Sequence, residues 1–215
     1  MDFAQWPWPI AWLATALAAL LVYDAVRRTD WRPSRRELGI WLISTAAVLL
    51  ARQMTVTLAS GLTLQYVGAA WLCLLLGYPR AIISITAIHI VEALGTGRNP
   101  ALPLLLLGIA PAWLIWLVVS ACRRWLPPNL FVFLLGPGFL GLFVCYALPL
   151  VFAAALAALF ADAPGSHGYW QTMLPYAVLL SAGETWIEGM MTTLLVVFVP
   201  NAVRLFDEDF YLRSS

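Results

Sequence analysis

An all-α, polytopic membrane bundle of about seven transmembrane helices is the fold class that this sequence predicts. Of its 215 residues, 62% are hydrophobic and only 11% are charged, and the mean hydropathy is +0.85. A water-soluble domain of this size does not tolerate such a composition. The apolar residues form runs of membrane-spanning length. We expect one integral membrane domain over residues 1–215, with spans near 9–25, 38–54, 62–78, 81–94, 101–121, 138–160 and 174–199.

The first two spans are predicted from long apolar runs with polar ends. Residues 9–25 follow a WPWP stretch whose tryptophans suit the headgroup interface. Ala14 and Ala18 are four apart, a spacing that lets another helix pack closely. In the span 38–54, Arg52 lies near the outer end, so we expect its side chain to snorkel to water.

The third and fourth spans are separated by a Gly-Tyr-Pro-Arg break at residues 77–80. The third covers 62–78 and ends at this break, because proline interrupts a helix. The fourth, 81–94, has roughly fourteen residues before a Gly-Thr-Gly stop. A segment that short is either a thin helix buried in the bundle or a re-entrant one.

Prolines shape the fifth and sixth spans. Pro111 predicts a kink within 101–121. The apolar run from Leu130 to Phe160 is too long for one straight crossing, and its Gly-Pro-Gly sequence at 136–138 predicts a break. We therefore expect the sixth span to begin near residue 138.

The arginines predict the orientation in the membrane. All twelve basic residues are arginine, and five of them crowd the loop after the first span. By the positive-inside rule this loop is cytoplasmic, the amino terminus is outside and, after seven spans, the carboxyl terminus is cytoplasmic. No basic stripe is present, so nucleic acid is not an expected partner, whereas membrane lipid is. The ten arginines assigned to the inner side are Arg27, Arg28, Arg32, Arg35, Arg36, Arg80, Arg123, Arg124, Arg204 and Arg213.

The last span carries the most informative polar residues of the chain. Glu184 and Glu188 lie in the middle of 174–199 and are four apart, so on a helix they share one face while Trp186 points elsewhere. An intramembrane acid facing lipid is costly, so both should face the bundle interior, protonated or partnered. They are candidates for a buried polar or ion pathway. An alternative is that they serve only as interhelical hydrogen-bond glue.

A second candidate group lies on the fourth span. His89 and Glu92 are three apart and share a helical face. Imidazole and carboxylate together suit cation binding or proton relay. A histidine in a span is also commonly just hydrogen-bonded to a neighbouring helix. On the last span, we interpret Met190 and Met191 as packing residues and not as ligands of a soft metal.

Motifs for common enzyme classes are missing from the sequence. It has no phosphate-binding glycine loop, HExxH, GxSxG or paired cysteine ligands, so ATP hydrolysis and zinc-protease chemistry are not expected. An intramembrane enzyme using His89 or the glutamates as acid and base lacks a nearby nucleophile. We predict that the protein is not an enzyme.

Two stretches resemble the CbiM/NikM-type permeases of energy-coupling factor (ECF) cobalt and nickel transporters. They are GLTLQYVGAAWLCLLLGYPRAIIS at 61–84 and EGMMTTLLVVFVP at 188–200, the latter followed by FDEDFYL. The resemblance covers roughly residues 38–211. It implies a substrate-capture subunit in a bacterial inner membrane that works with a coupling subunit and ATPase subunits, with cobalt or nickel as the divalent metal substrate.

The resemblance also implies a metal site, which this chain has altered. In the family the ligands are the free amino terminus, a histidine directly after the initiator methionine, and a histidine in the glycine-led segment. Asp2 and Gln65 hold those two positions here, beside the amino group of Met1. Carboxylate and amide oxygens suit harder ions, so affinity for late transition metals should fall. Three alternatives remain: a weak site of Met1, Asp2 and Gln65, a site elsewhere at His89 or Glu184, or a membrane interaction or assembly protein that binds no metal.

Overall fold

The computed structural model describes residues 8–57, 63–97, 99–160 and 166–212, which form a bundle of helices with one small hairpin. The strands β1 (Thr55–Thr57) and β2 (Thr63–Gln65) pair antiparallel. Two π-helical turns, Leu104–Ile109 and Gly136–Gly141, continue neighbouring helices. The helices are α1 (Trp8–Arg28), α2 (Arg35–Gln53), α3 (Ala69–Leu76), α4 (Tyr78–Thr96), α5 (Ala101–Pro103), α6 (Ala110–Trp125), α7 (Leu130–Leu135), α8 (Leu142–Phe160), α9 (Ser166–Phe198) and α10 (Glu208–Leu212).

The predicted class, a membrane helix bundle, agrees with this architecture. Within the described residues, three helical runs are long and apolar enough to cross a membrane: Pro9–Arg28, Ala101–Trp125 and Leu130–Ala153. The count of seven crossings and the orientation stay predictions. Ala14 and Ala18 are buried, and α1 packs on α4.

The prediction of a continuous helix over 62–78 is wrong. Its first part is strand β2, and only the eight residues of α3 are helical. The cause is Gly68, which has φ +69° and interrupts the helix where a Cβ would lie 2.7 Å from Val48 Cγ1. All eight residues of α3 are buried, so this short helix lies at the centre of the bundle.

The fourth segment is longer than predicted. Helix α4 has 19 residues. Pro79 is accommodated in its first turn, because the N–H that proline lacks would have no partner within the helix there. It ends at Gly97, whose φ of +67° forms a left-handed cap. Residues 81–94 are therefore part of a longer helix than expected, and its path through the membrane stays a prediction.

The glycines and prolines of the fifth and sixth segments produce π-helical turns. Pro111 lies in the first turn of α6, directly after the turn Leu104–Ile109. The Gly-Pro-Gly sequence forms the turn Gly136–Gly141 and does not break the helix. The helical run begins at Leu130, where the Asn129 side chain caps it. The expected break at 136–138 is therefore wrong, whereas the start of the membrane crossing stays a prediction.

The segment after α9 folds back onto the bundle. The backbone N–H groups of Arg204 and Leu205 donate to the carbonyls of Leu75 and Leu74, at the end of α3, at 3.1 Å each. The aromatic ring of Tyr211 stacks on Phe206. These contacts satisfy carbonyl groups that a helix end otherwise leaves without a partner.

Candidate functional site

The two glutamates of α9 face the bundle interior. Both side chains are buried, while Trp186 between them is 65% exposed. Met190 and Met191 are exposed as well, so they point away from the carboxylates. The helical spacing that predicted a shared inward face is thus realised in the structure.

Glu188 accepts hydrogen bonds from two tyrosines of other elements. The hydroxyl of Tyr66 donates to Glu188 Oε1, and that of Tyr146, on α8, donates to Oε2 at 2.6 Å. The Tyr146 oxygen also accepts from the backbone N–H of Trp71, at 3.2 Å. One carboxylate therefore connects α9, α8 and the first turn of α3.

Glu184 holds the backbone just after β2. Its Oε1 accepts from the N–H of Val67 at 3.0 Å. Its Oε2 is buried and has no hydrogen-bond partner among the described residues. Both glutamates of α9 thus meet neutral donors from the segment between Gln65 and α3.

Arg52 does not snorkel, which corrects the sequence prediction. Its side chain is only 3% exposed. Nε and Nη2 form a two-pronged ion pair with Glu92 at 2.7 and 2.8 Å, and Nη1 donates to the carbonyls of Tyr66 and Val67 at 3.1 and 3.2 Å. Four oxygens arranged around one planar guanidinium replace the water that snorkelling would have reached.

Gln65 lies against this ion pair. Its amide nitrogen donates to Glu92 Oε1 at 2.8 Å and to the backbone carbonyl of Arg52 at 3.2 Å. The side chain at this position therefore bridges the hairpin, α2 and α4. Its amide oxygen is the atom chemically suited to a cation.

His89 is buried one turn from Glu92. Its Nδ1 lies 3.5 Å from Glu92 Oε2, while its Nε2 has no hydrogen-bond partner in the described part of the chain. A Cβ on Gly108, in the π-helical turn before α6, would lie 3.4 Å from that nitrogen. The missing side chain of Gly108 makes room for the imidazole, and π-helical turns are frequent at functional sites.

The structure thus brings three predicted residues together, namely Gln65, His89 and Glu92. Glu184 and Glu188 contact the two residues that follow Gln65, at the N–H of Val67 and at the hydroxyl of Tyr66. Met1 and Asp2 lie outside the described residues. No group of three or more His, Cys, Asp or Glu side chains able to hold a metal occurs in the described ranges.

The residues missed from the sequence are Arg52, Tyr66 and Tyr146 as members of this network. An arginine within an apolar run was a usable signal, because an intramembrane charge requires a partner. The tyrosines carried no such signal, since aromatic residues are common throughout membrane helices. Their hydroxyls became informative only once the fold placed them beside Glu188.

Comparisons with known proteins agree with one another on the fold. A family profile described as "CbiM: Cobalt uptake substrate-specific transmembrane region" matches residues 6–204. A solved structure titled "Crystal Structure of an transition metal transporter" is similar with a TM-score of 0.70 and 14% identity, covering 91% of each chain. A second, "Crystal Structure of an Truncated Transition metal Transporter", has a TM-score of 0.67 and 15% identity, covering 87% of this chain and 93% of the other. No curated protein sequence matches this chain significantly.

Proposed function

Because this chain belongs to the CbiM family of cobalt-uptake transmembrane regions, we propose that it is the substrate-capture permease of an ECF-type transporter for a divalent transition-metal cation. The observation that carries the proposal is the family match over residues 6–204. Cobalt or nickel is the substrate class, and a coupling subunit and ATPase subunits are the partners. The protein acts as a multi-pass protein of the bacterial inner membrane, without enzymatic activity of its own.

The topology within this proposal has seven crossings in one domain, with the amino terminus outside and the carboxyl terminus cytoplasmic. The distribution of arginines supports it. The third crossing consists of the backbone around Gly68 followed by α3. In support, Tyr66 contacts Arg52 near the end of α2, whereas Arg80 contacts Glu37, near its start, at 3.6 Å. The chain between Tyr66 and Arg80 therefore travels nearly the length of α2.

The proposed capture site consists of the Met1 amino group, Asp2, Gln65 and His89. Gln65 and His89 support the assignment because each contacts Glu92, so both lie in one buried polar region. Glu92, Glu184 and Glu188 are proposed as the buried polar or ion-pathway residues around it. Arg52 neutralises Glu92, so this carboxylate attracts a divalent cation less than an unpaired one would.

The test is metal titration of the purified full chain with an untagged native amino terminus, using Ni²⁺, Co²⁺ and Mn²⁺. We expect one cation per chain and affinity about 10–100-fold weaker in Gln65→Ala. Gln53→Ala is the matched control, because Gln53 is exposed at the end of α2 and should leave affinity unchanged. A folded, monodisperse wild type that binds none of the three cations would overturn the proposal.

A second candidate function is a membrane interaction or assembly protein that keeps the permease fold without binding metal. Two observations favour it: Asp2 and Gln65 stand at the positions of the family histidines, and Arg52 already neutralises Glu92. Co-purification with a partner other than an ECF coupling subunit, together with absent metal binding, would support this alternative.

A further inference from the structure

The backbone from Gln65 to Trp71, which we call the turn segment, is not helical until Ala69. It is half-buried at Gln65 and Tyr66 and buried in the bundle from Val67 onward. Non-helical backbone inside a membrane protein needs partners for its N–H and C=O groups. Side chains supply them. Arg52 binds the carbonyls of Tyr66 and Val67, and Glu184 binds the N–H of Val67.

The α9 side of the turn segment has its own set of contacts. Glu188 accepts from the hydroxyl of Tyr66 and from that of Tyr146, which in turn accepts from the N–H of Trp71. Together with Glu184, this fixes three points of the turn segment: its backbone at Val67 and Trp71 and its side chain at Tyr66. Gln65, at the amino end of the same segment, lies in the proposed capture site.

The bend itself leaves the segment little freedom. Gly68 has φ +69°, and a Cβ there would lie 2.7 Å from Val48 Cγ1 and 2.8 Å from the ring of Tyr66. Gln65 directly precedes Tyr66, so a displacement of Tyr66 or Val67 also shifts the backbone of Gln65. The contacts with α9 therefore act on the position of the Gln65 amide together with its own bonds to Glu92 and to the carbonyl of Arg52.

We infer that Glu184 and Glu188 are positioning residues, which hold the turn segment from α9 and thereby set the geometry of Gln65 for capture of a divalent cation. The inference rests on the proposed function for its second half. It goes beyond the proposed place of these residues in a buried polar region and differs from a ligand role, because the carboxylates act through hydrogen bonds to Val67 and to the two tyrosines and do not touch the cation. It also differs from general helix glue, because its effect is local to one segment.

The experiment combines hydrogen exchange with Ni²⁺ and Co²⁺ titration of the full chain. In Glu184→Ala and Glu188→Ala we expect the amides of residues 65–71 to exchange about tenfold faster or more, since buried donors lose their acceptor. Cation affinity should fall by about tenfold or more, while exchange in α4 and α6 stays unchanged. Glu184→Gln should restore both properties in large part, because its amide oxygen still accepts from Val67. Glu208→Gln, at an exposed acid of α10, is the control.

Tyr66→Phe keeps the inference testable if an alanine variant fails to fold. It removes only the hydroxyl that donates to Glu188. It should reproduce the faster hydrogen exchange of residues 65–71 and the weaker cation affinity. Weaker affinity with unchanged exchange would mean that the glutamates bind the cation directly and would overturn the inference. Faster exchange throughout the bundle would overturn it in favour of a general structural role. If wild type binds no cation, the proposed function fails and the capture half of the inference with it, whereas unchanged exchange in both alanine variants defeats the inference alone.

Discussion

Glu92 and the pair Glu184 and Glu188 hold the same turn segment at different points, and they are stabilised differently. Glu92 is paired with the guanidinium of Arg52, so that side is close to electrically neutral. Glu184 and Glu188 accept hydrogen bonds from a backbone N–H and two tyrosine hydroxyls, all neutral groups. One polar region thus combines an ion pair with two glutamates that accept hydrogen bonds from neutral donors. Removing a partner should therefore cost much more on the first side.

The largest effect is expected when the charge pair is broken. Arg52→Met removes the guanidinium group. Glu92, which is 19% exposed, and the carbonyls of Tyr66 and Val67 then lose their donor. Loss of one partner of a buried pair costs about 3–5 kcal/mol of unfolding free energy. Chemical denaturation in detergent measures it.

Arg28→Met is the control for the charge pair. Arg28 pairs with Asp24 at 2.9 Å, but the two side chains are 68% and 43% exposed, so the loss should stay below about 1 kcal/mol. Equal losses in the two variants would mean that burial does not distinguish the pairs.

A smaller effect is expected from the bend between the two groups. Gly68→Ala places a Cβ in a left-handed conformation, 2.7 Å from Val48 Cγ1. Backbone strain and overpacking together should cost about 2–4 kcal/mol. Gly39→Ala in α2 has nothing within 4 Å of its Cβ and should be neutral or stabilising by up to about 1 kcal/mol. Thermal unfolding followed by tryptophan fluorescence compares the two, and a tolerated Gly68→Ala would show that the turn segment is free to shift.

The smallest loss of unfolding free energy is expected where neutral donors contact Glu188. Tyr146→Phe deletes the hydroxyl that donates to Glu188 and accepts from Trp71, and it should cost about 1–2 kcal/mol. Tyr23→Phe, on the exposed surface of α1, should cost close to nothing. Denaturation midpoints measure both. A loss from Tyr146→Phe as large as that from Arg52→Met would contradict the difference between the two sides.

The sequence predicted the fold class and the inward face of α9 because both depend on local signals, namely composition and a spacing of four. It also predicted that His89 and Glu92 share a helical face. It did not predict the hairpin or the bend at Gly68, because two three-residue strands and a single left-handed glycine leave no periodic signal in the sequence.

The contacts of Arg52 could not be predicted from the local sequence either. Near the end of a span, snorkelling to water and pairing with an interior acid are both allowed by the sequence. The choice depends on the carbonyls of Tyr66 and Val67 meeting Glu92 at one point in space. For the same reason Gln65 was identified by its position in the glycine-led segment, while its contact with Glu92 required the fold.

The contacts between α3 and residues 204–205 have a consequence for biosynthesis. Helix α3 emerges from the ribosome early, yet the carbonyls of Leu74 and Leu75 find their partners only when Arg204 and Leu205 have been made. Because chains are synthesised from the amino terminus, the centre of the bundle remains open at one end throughout translation of the later helices. We expect the protein to reach its final packing only after residues 204–205 leave the ribosome.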